Sequence, residues 1–186
     1  MRPIIALLIL LFSAGAWAQA ETGPYIGFGL GQLDYEESDF GLTFDDTTLG
    51  YKVYGGYRFT ETWAVEASYG QTDDLEWSDF GSIPGVISAT LSGDYNFVEI
   101  RALAHINAFI VGIGYWDADL NATLSGTLTF PGPFSYSASD SDSGASAILG
   151  GEWDLDQWSI RGEIEVFDTE SNVDVYTVGV GLHFRF

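Results

Sequence analysis

The chain has 186 residues, enough for one domain but too few for two of ordinary size. Its 27 Asp and Glu against 6 Lys and Arg give a formal net charge of −21, which excludes the basic surface that nucleic acid binding requires. The lack of cysteine excludes disulfides and thiolate metal sites, while 16% aromatic residues and 23 glycines favour strands and tight turns over helices.

Residues 1–20 have the features of a cleaved secretory signal peptide. Arg2 supplies a positive start, residues 4–12 are continuously apolar, and Ala18-Gln19-Ala20 offers a small-x-small cleavage pattern. The alternative is a membrane-anchoring helix, but the apolar run is far shorter than the roughly 20 residues needed to span a bilayer. We therefore expect export, removal of residues 1–20 and a single mature domain over residues 21–186.

Eight segments after residue 20 alternate apolar side chains with polar or small ones at a period of two. The last is the clearest, because Val178, Val180 and Leu182 alternate with small or polar residues. Such alternation is typical of a strand with one apolar face. We therefore predict eight strands, within residues 26–31, 49–59, 63–69, 98–104, 109–115, 145–153, 158–166 and 173–186.

The connections between these strands alternate in length. Short turns are expected at 60–62, 105–107 and 154–157. Longer polar loops are expected near 34–48, 71–93, 117–143 and 168–173. Short turns at one end and long loops at the other are typical of an up-and-down membrane barrel, and an even strand count brings both chain ends to the short-turn side.

The charged residues indicate which face of the barrel looks inward. All five basic residues after residue 20 fall at the alternate positions of a predicted strand that carry its polar or small residues. Five glutamates also fall at such positions. Ten balanced charges do not fit an apolar pocket but can pair in a polar lumen, which leaves the apolar face toward lipid. The predicted lumen charge network comprises Lys52, Arg58, Glu66, Glu99, Arg101, Glu152, Arg161, Glu163, Glu165 and Arg185.

Aromatic residues next to the short turns are expected to form an interfacial girdle on the outside. They are Tyr57, Phe59, Trp63, Trp153, Trp158, Phe184 and Phe186. The glycine runs at 27–31 and 112–114 fall on the lumen face and precede no helix. We expect them to make room for Tyr and Arg side chains rather than to cradle phosphates.

Several motifs carry a family resemblance across essentially all of residues 21–186. Residues 51–59 read YKVYGGYRF, followed by WAVE at 63–66, GYWDAD at 114–119 and WSIRGE at 158–163. They resemble the outer-membrane β-barrel family that includes the OmpA transmembrane domain and the OmpX-like small barrels. The resemblance implies an all-β fold, an eight-stranded antiparallel up-and-down transmembrane barrel, in the bacterial outer membrane with a porin-like role.

The end of the chain resembles a signal that the barrel-assembly machinery reads during insertion. Its residues here are Gly181, Phe184 and Phe186, with Gly179 at a position that is usually polar. The resemblance therefore implies that this machinery is a partner, beside outer-membrane lipid and lipopolysaccharide.

The lumen charges admit two interpretations, and both stay open on the sequence alone. They could line or gate a narrow water path, or they could be paired charges that plug the barrel, whose interior is only wide enough for its own side chains. Catalysis is not expected, because His105 and His183 both lie on the short-turn side, away from the outer leaflet. No cofactor is expected.

The loop acids also admit two interpretations, a solvated rim or a set of carboxylates that divalent cations bridge to lipopolysaccharide phosphates. Asp117-x-Asp119-x-Asn121 starts like a calcium loop, but Ala122 and Leu128 stand where Gly and Glu are wanted, so no metal site is predicted.

Alternation from Leu120 to Phe130, before Pro131-Gly132-Pro133, suggests that strand five continues beyond the membrane and strand six returns. An exposed edge on that hairpin would accept a strand from another protein. The sequence thus favours a structural or narrow-pore role, with adhesion or partner or lipopolysaccharide binding through loop 117–143 as the alternative without channel activity.

Overall fold

The computed structural model describes residues 22–39, 42–73, 75–77, 86–130, 132–169 and 173–186. The predicted signal peptide lies outside these residues. No helix in the described part of the chain is long and apolar enough to cross a membrane.

The described residues form one closed antiparallel sheet. Its strands are β1 Gly23–Asp39, β2 Leu42–Arg58, β3 Trp63–Thr72, β4 Leu75–Trp77, β5 Val86–Ile106, β6 Phe109–Leu128, β7 Pro133–Leu155, β8 Trp158–Phe167 and β9 Val173–Arg185. Each strand pairs with the next along the chain except that β3 pairs with β5 instead of β4, and β9 pairs with β1 to close the ring. The three-residue β4 pairs with β5 beyond the end of β3, so the two share one position in the wall. The predicted eight-stranded up-and-down barrel is therefore confirmed.

The short turns lie together at one end of the barrel, which we call the turn end. Asn107 and Asp156 each begin a two-residue turn with φ of 58°, a left-handed conformation that Asn and Asp tolerate better than most residues. Between β2 and β3, the Thr60 hydroxyl accepts hydrogen bonds from the amides of Thr62 and Trp63. His105 and Ile106, predicted to be in a turn, belong instead to β5.

We call the opposite end of the barrel the distal end. The prediction of long loops there is wrong. Much of 34–48, 71–93 and 117–143 is strand, since β1 runs to Asp39, β5 begins at Val86 and β6 extends to Leu128. The continuation of strands five and six into a hairpin was predicted correctly. In the extension of β5, polar residues such as Ser92 and Asp94 occupy the face that carries Val98 and Ile100 lower down, and this change hid the strand signal.

The change is clearest on β6. Lower on the strand, the side that faces away from the lumen carries exposed apolar residues such as Val111 and Ile113, the latter 70% exposed. From Asp117 onward the same side carries Asp, Asn, Thr and Ser, while Leu120 and Leu124 lie on the inner side. The apolar band therefore ends near Tyr115, and β5, β6 and β7 continue past it as a sheet with a polar outer face.

We call this continuation the distal sheet, and it comprises residues 86–96 of β5, 117–128 of β6 and 133–145 of β7. Its β6–β7 ladder runs from the pair Asp117 and Ser143 to the pair Thr127 and Pro133. At about 3.4 Å per residue this ladder is roughly 35 Å long.

Two lysine substitutions on one face of β6 test where the lipid band ends. Ile113→Lys places a charge in the middle of the apolar band and is expected to lower the free energy of unfolding by about 2–4 kcal/mol. Ser125→Lys, on the same face but in the distal sheet, is expected to change it by less than about 0.5 kcal/mol. Reversible unfolding in phospholipid vesicles measures both, and equal losses would contradict the assignment of the band.

Candidate functional site

The ten charged residues assigned to the lumen are all enclosed by the barrel wall. Nine of them are buried, and the Lys52 side chain is 15% exposed. Strands β2, β3, β5, β7, β8 and β9 each contribute at least one of them, so the structure brings together side chains that are far apart in sequence.

Glu66 on β3 is the centre of the network and has no exposed surface. Its carboxylate accepts hydrogen bonds from the guanidinium groups of Arg161, at 2.7 Å, and Arg101. The Tyr25 hydroxyl donates a third hydrogen bond to it at 2.9 Å. One carboxylate therefore joins strands β1, β3, β5 and β8 across the lumen.

On the distal side of Glu66, carboxylates surround Arg101. Its Nη1 lies 3.3 Å from Glu163 and 3.4 Å from Glu165. Lys52 contacts the same two carboxylates, Glu163 by a direct ion pair and Glu165 at 3.8 Å. Glu99 accepts a hydrogen bond from the Ser146 hydroxyl at 2.6 Å and lies 3.6 Å from the Arg101 Nε. Each charge in this half of the lumen therefore has a partner of opposite sign.

On the turn side of Glu66, the network continues through Glu152. This carboxylate lies 2.9 Å from Arg58, 3.2 Å from Arg161 and 3.7 Å from His183. Arg58 also contacts the imidazole of His105.

The last ion pair at the turn end is made by Arg185, which lies 3.0 Å from Asp154 and donates to the backbone carbonyl of Asp156 at 2.6 Å. The ion pairs therefore extend from the turn end to the distal half of the lumen.

Sequence reasoning missed several members of this network. They are Tyr25, Tyr54, His105, Asp154 and His183. Strand parity could have found all five, because each lies an even number of residues from an inward-facing charged residue or glycine on the same strand. The Arg161 guanidinium lies over the Tyr54 ring, 5.1 Å from its centroid, so the aromatic side chains also screen the charges.

Glycines on β1 and β9 leave space for these side chains. A Cβ at Gly27 would overlap the ring of Tyr54, its partner on β2, and one at Gly181 would lie 2.7 Å from the Tyr54 hydroxyl. The expectation that the first glycine run accommodates a Tyr is met at Gly27. At Gly112 and Gly114 the neighbours are different, namely Leu103, Ser146 and Glu99.

The lumen holds a cavity of about 50 Å³ in its distal half. Lys52, Glu163, Phe97, Gly31 and Gly179 are among the residues that line it. This volume accommodates a few water molecules, since one water needs roughly 10–15 Å³ measured in the same way.

Aromatic side chains lie above the charges at the distal end of the lumen. The ring of Phe167 packs edge-on against Trp116, at 5.7 Å, and against Phe97, at 6.5 Å. The charge network therefore lies beneath an aromatic layer.

Of the other candidate residues, Phe184, Phe186, Asp117 and Asp119 lie on the outer face of the wall, whereas Gly181 faces the lumen beside Tyr54. Phe184 packs its ring 5.0 Å from Trp158 and 5.3 Å from Phe186, at the turn end, and Gly181 pairs with Gly29. Asp117 and Asp119 lie on the extended strand β6 rather than in a loop. Among the described residues, no group of three or more His, Asp or Glu is arranged to hold a metal ion.

One edge of the distal sheet has no neighbouring strand among the described residues. Strand β8 pairs with β7 only from Ser146 to Leu155, and the Asp168 amide donates to the Ala145 carbonyl just beyond it, so within the described chain residues 133–143 of β7 are paired on the β6 side alone. Two amides on this stretch are covered locally. Asp140 accepts a hydrogen bond from the Ser141 amide at 2.9 Å, and Asp142 accepts one from the Ser143 amide at 2.7 Å.

Comparisons with known proteins point to small β-barrels of the outer membrane. A family model described as "Outer membrane protein beta-barrel domain" matches residues 4–186. A search of curated protein sequences finds no match. One similar solved structure is that of Ail, the attachment invasion locus protein of Yersinia pestis, in complex with the heparin analogue sucrose octasulfate. Ail is 21% identical with a TM-score of 0.62, and the match covers 90% of this chain and 100% of that one.

Two further solved structures are similar. OprG of Pseudomonas aeruginosa is 15% identical with a TM-score of 0.52, over 90% of this chain and 98% of that one. Neisserial surface protein A is 11% identical with a TM-score of 0.52, and the match covers 90% of this chain and 100% of that one. At these identities the likeness demonstrates the shared fold alone.

Removing Arg101 tests the energetic role of the network. Arg101→Met leaves Glu66 and the surrounding carboxylates without their central cation, and we expect a loss of about 3–5 kcal/mol in the free energy of unfolding. Adding Glu66→Gln to this variant removes one of the carboxylate charges that are then in excess in the lumen and should recover part of the loss. Arg185→Met, at the turn end with a single carboxylate partner, is the control and should cost less. A loss below about 1 kcal/mol for Arg101→Met would show that the network is dispensable for stability.

Proposed function

The chain belongs to the family of outer membrane protein β-barrel domains, and we propose that it acts in the bacterial outer membrane as a structural barrel with a closed lumen that presents the distal sheet to a binding partner. The observation that carries the proposal is the distal sheet itself, which rises beyond the apolar band and, in the part of the chain that the structure describes, has an unpaired strand edge.

The contacts in the lumen support a plug more than a pore. Arg101 and Arg161 meet at Glu66 across the barrel, and the further ion pairs of Arg101 and Lys52 occupy the space on the distal side of Glu66. A conducting path would have to separate these charges in a medium of low dielectric constant, which is costly. We infer no catalytic role, since His105 and His183 are enclosed by the same network.

The distal sheet supports a binding role because of its length and its free edge. A barrel that served only as a membrane scaffold has no need of a ladder that continues roughly 35 Å beyond the lipid band. An unpaired edge presents backbone donors and acceptors that another chain can satisfy by adding a strand.

The charge distribution limits the kind of partner. All five basic residues after residue 20 face the lumen, so the distal sheet carries Asp but no Lys or Arg. Ail of Y. pestis was solved with a polysulfated heparin analogue. A polyanion of that kind would be repelled by the acidic surface of this chain, so we propose a neutral or cationic partner instead.

Two further partners belong to the proposal. Lipid acyl chains and lipopolysaccharide would cover the apolar band, and divalent cations would bridge carboxylates such as that of Asp117, on the outer face of β6, to lipopolysaccharide phosphates. The barrel-assembly machinery would read Gly181, Phe184 and Phe186 during insertion; the outward aromatic cluster of Phe184 and Phe186 is consistent with recognition before the barrel closes.

Single-channel recording in planar bilayers tests the closed lumen. We expect the refolded wild-type barrel to give no discrete openings at either polarity, because the ion pairs around Arg101 occupy the lumen. Arg101→Ala removes a large side chain from this region and is expected to produce small openings. Discrete openings of the wild-type barrel, altered by Arg101→Ala, would instead support the narrow-pore alternative.

Shortening the β6–β7 hairpin tests the binding role. An Asn-Gly turn in place of residues 121–139 joins Leu120 to Asp140, which are paired across the hairpin. We expect cells that display the shortened chain to lose attachment to protein-coated surfaces that wild-type cells bind, while the barrel keeps its heat-resistant folded mobility on gels. Unchanged attachment with a folded barrel would contradict a binding role for the distal sheet.

A further inference from the structure

We propose that the free edge of β7 is a docking site for one extended peptide strand that carries two basic residues followed by apolar ones at alternate positions. This inference rests on the proposed function and specifies the chemistry of the partner. It follows from the direction of the backbone groups, from the two aspartates on the edge and from the side chains of β7.

The backbone groups that face the free edge belong to the odd-numbered residues of β7. The amide of Asp168 donates to the carbonyl of Ala145 at 2.8 Å, which shows that the Ala145 backbone points away from β6. Because backbone direction alternates along a strand, Ser135, Ser137, Ser139, Ser141 and Ser143 point the same way. The edge is therefore a row of serine amides and carbonyls.

Two aspartates cover the part of this edge nearest the barrel. The carboxylates of Asp140 and Asp142 accept hydrogen bonds from the amides of Ser141 and Ser143. Charged groups placed on an edge in this way prevent it from pairing with an arbitrary strand. Ser135, Ser137 and Ser139 have no such cover within the described chain, so pairing would begin at these three residues and extend toward the barrel.

The two aspartates also select the incoming strand. A strand that replaces their hydrogen bonds displaces both carboxylates and must offer them another partner. Lysine or arginine opposite Asp140 and Asp142 provides one, because oppositely charged residues directly across a strand pair attract each other. The side of β7 that carries these aspartates continues with Ala138, Tyr136 and Phe134, which favour apolar partners.

The order of the side chains in the partner follows from antiparallel pairing. Read from its N-terminus, the incoming strand carries basic residues at the first and third positions, opposite Asp142 and Asp140. Apolar residues follow at the fifth, seventh and ninth positions, opposite Ala138, Tyr136 and Phe134. Small polar residues lie between them, opposite the serines. A second copy of this chain cannot provide this pattern, because its basic residues after residue 20 are all enclosed in the lumen.

The test uses the refolded full chain in bicelles and a labelled synthetic peptide of about nine residues with this pattern. Lysines occupy positions one and three, apolar residues positions five, seven and nine, and serines or threonines the rest. A second peptide of the same composition has the reverse order. Fluorescence anisotropy is expected to show at least about tenfold weaker binding of the reversed peptide, and equal binding of the two would overturn the proposal.

Two matched variants separate the edge from the rest of the sheet. Ser139→Pro removes an amide that faces the free edge and leaves the β6 ladder intact, so peptide binding should be lost. Ser139→Ala removes only the hydroxyl and should bind as the wild type does. Binding by Ser139→Pro at wild-type strength would overturn the proposal.

A double variant tests the charges. Asp140→Asn with Asp142→Asn keeps an oxygen to cover each amide but removes both charges. We expect about tenfold weaker binding of the basic peptide. Unchanged affinity would show that the aspartates do not select the strand.

The attachment assay distinguishes this inference from the proposed function. If the shortened hairpin loses attachment while Ser139→Pro keeps it, partners bind a face of the distal sheet and the edge inference is wrong. If the shortened hairpin also keeps attachment, both proposals are wrong.

Discussion

Inside the hydrocarbon of a membrane, every backbone donor and acceptor must find its partner within the chain, and most of this structure follows from that requirement. It brings β9 back to β1, with Tyr25 opposite Arg185 at the turn end and Glu37 opposite Val173 at the distal end. Once the ring is closed, each strand has one face toward lipid and one toward the lumen. Alternation along the chain then determines the environment of each side chain.

Closure makes the lumen narrow, and a narrow lumen that contains charges must balance them. The five basic residues and five glutamates that share the inward parity are equal in number, and Asp154 adds one further acid at the turn end. Glu66 depends on two arginines and a tyrosine from three different strands. The wall makes room for such side chains with glycine, as at Gly27 beside Tyr54. Stability and closure of the lumen therefore have the same physical origin.

Beyond the lipid band the requirement for internal pairing no longer holds, because water can satisfy the backbone. The distal sheet shows the consequence: β7 keeps β6 as a partner but loses β8 above Ser146. The side-chain pattern reverses at the same level, with polar residues such as Asp119 outside and apolar residues such as Leu120 inside. A free edge in water attracts other strands, and the aspartates at 140 and 142 occupy part of it.

The sequence by itself determined the fold class, the strand order and the inward position of the ten charged residues. Each of these depends on a period of two, which is a local property, combined with the rule that lipid accepts only apolar side chains. The distal extensions of β1, β2 and β5 were taken for loops, because these segments are rich in polar residues and the alternation of apolar and polar residues is lost there. The alternation along β5 and β9 would have placed His105 and His183 on the inward face, but it could not have shown which carboxylate each of them contacts.

Only the tertiary structure decided which charged groups in the lumen pair with each other. Arg101 meets Glu66, Glu163 and Glu165 because the curvature and register of the barrel bring β3, β5 and β8 together, and no local pattern encodes that distance. The free edge of β7 was likewise decided by the difference in length between β7 and β8. The sequence determines which way each side chain points, whereas closure of the sheet determines what it meets.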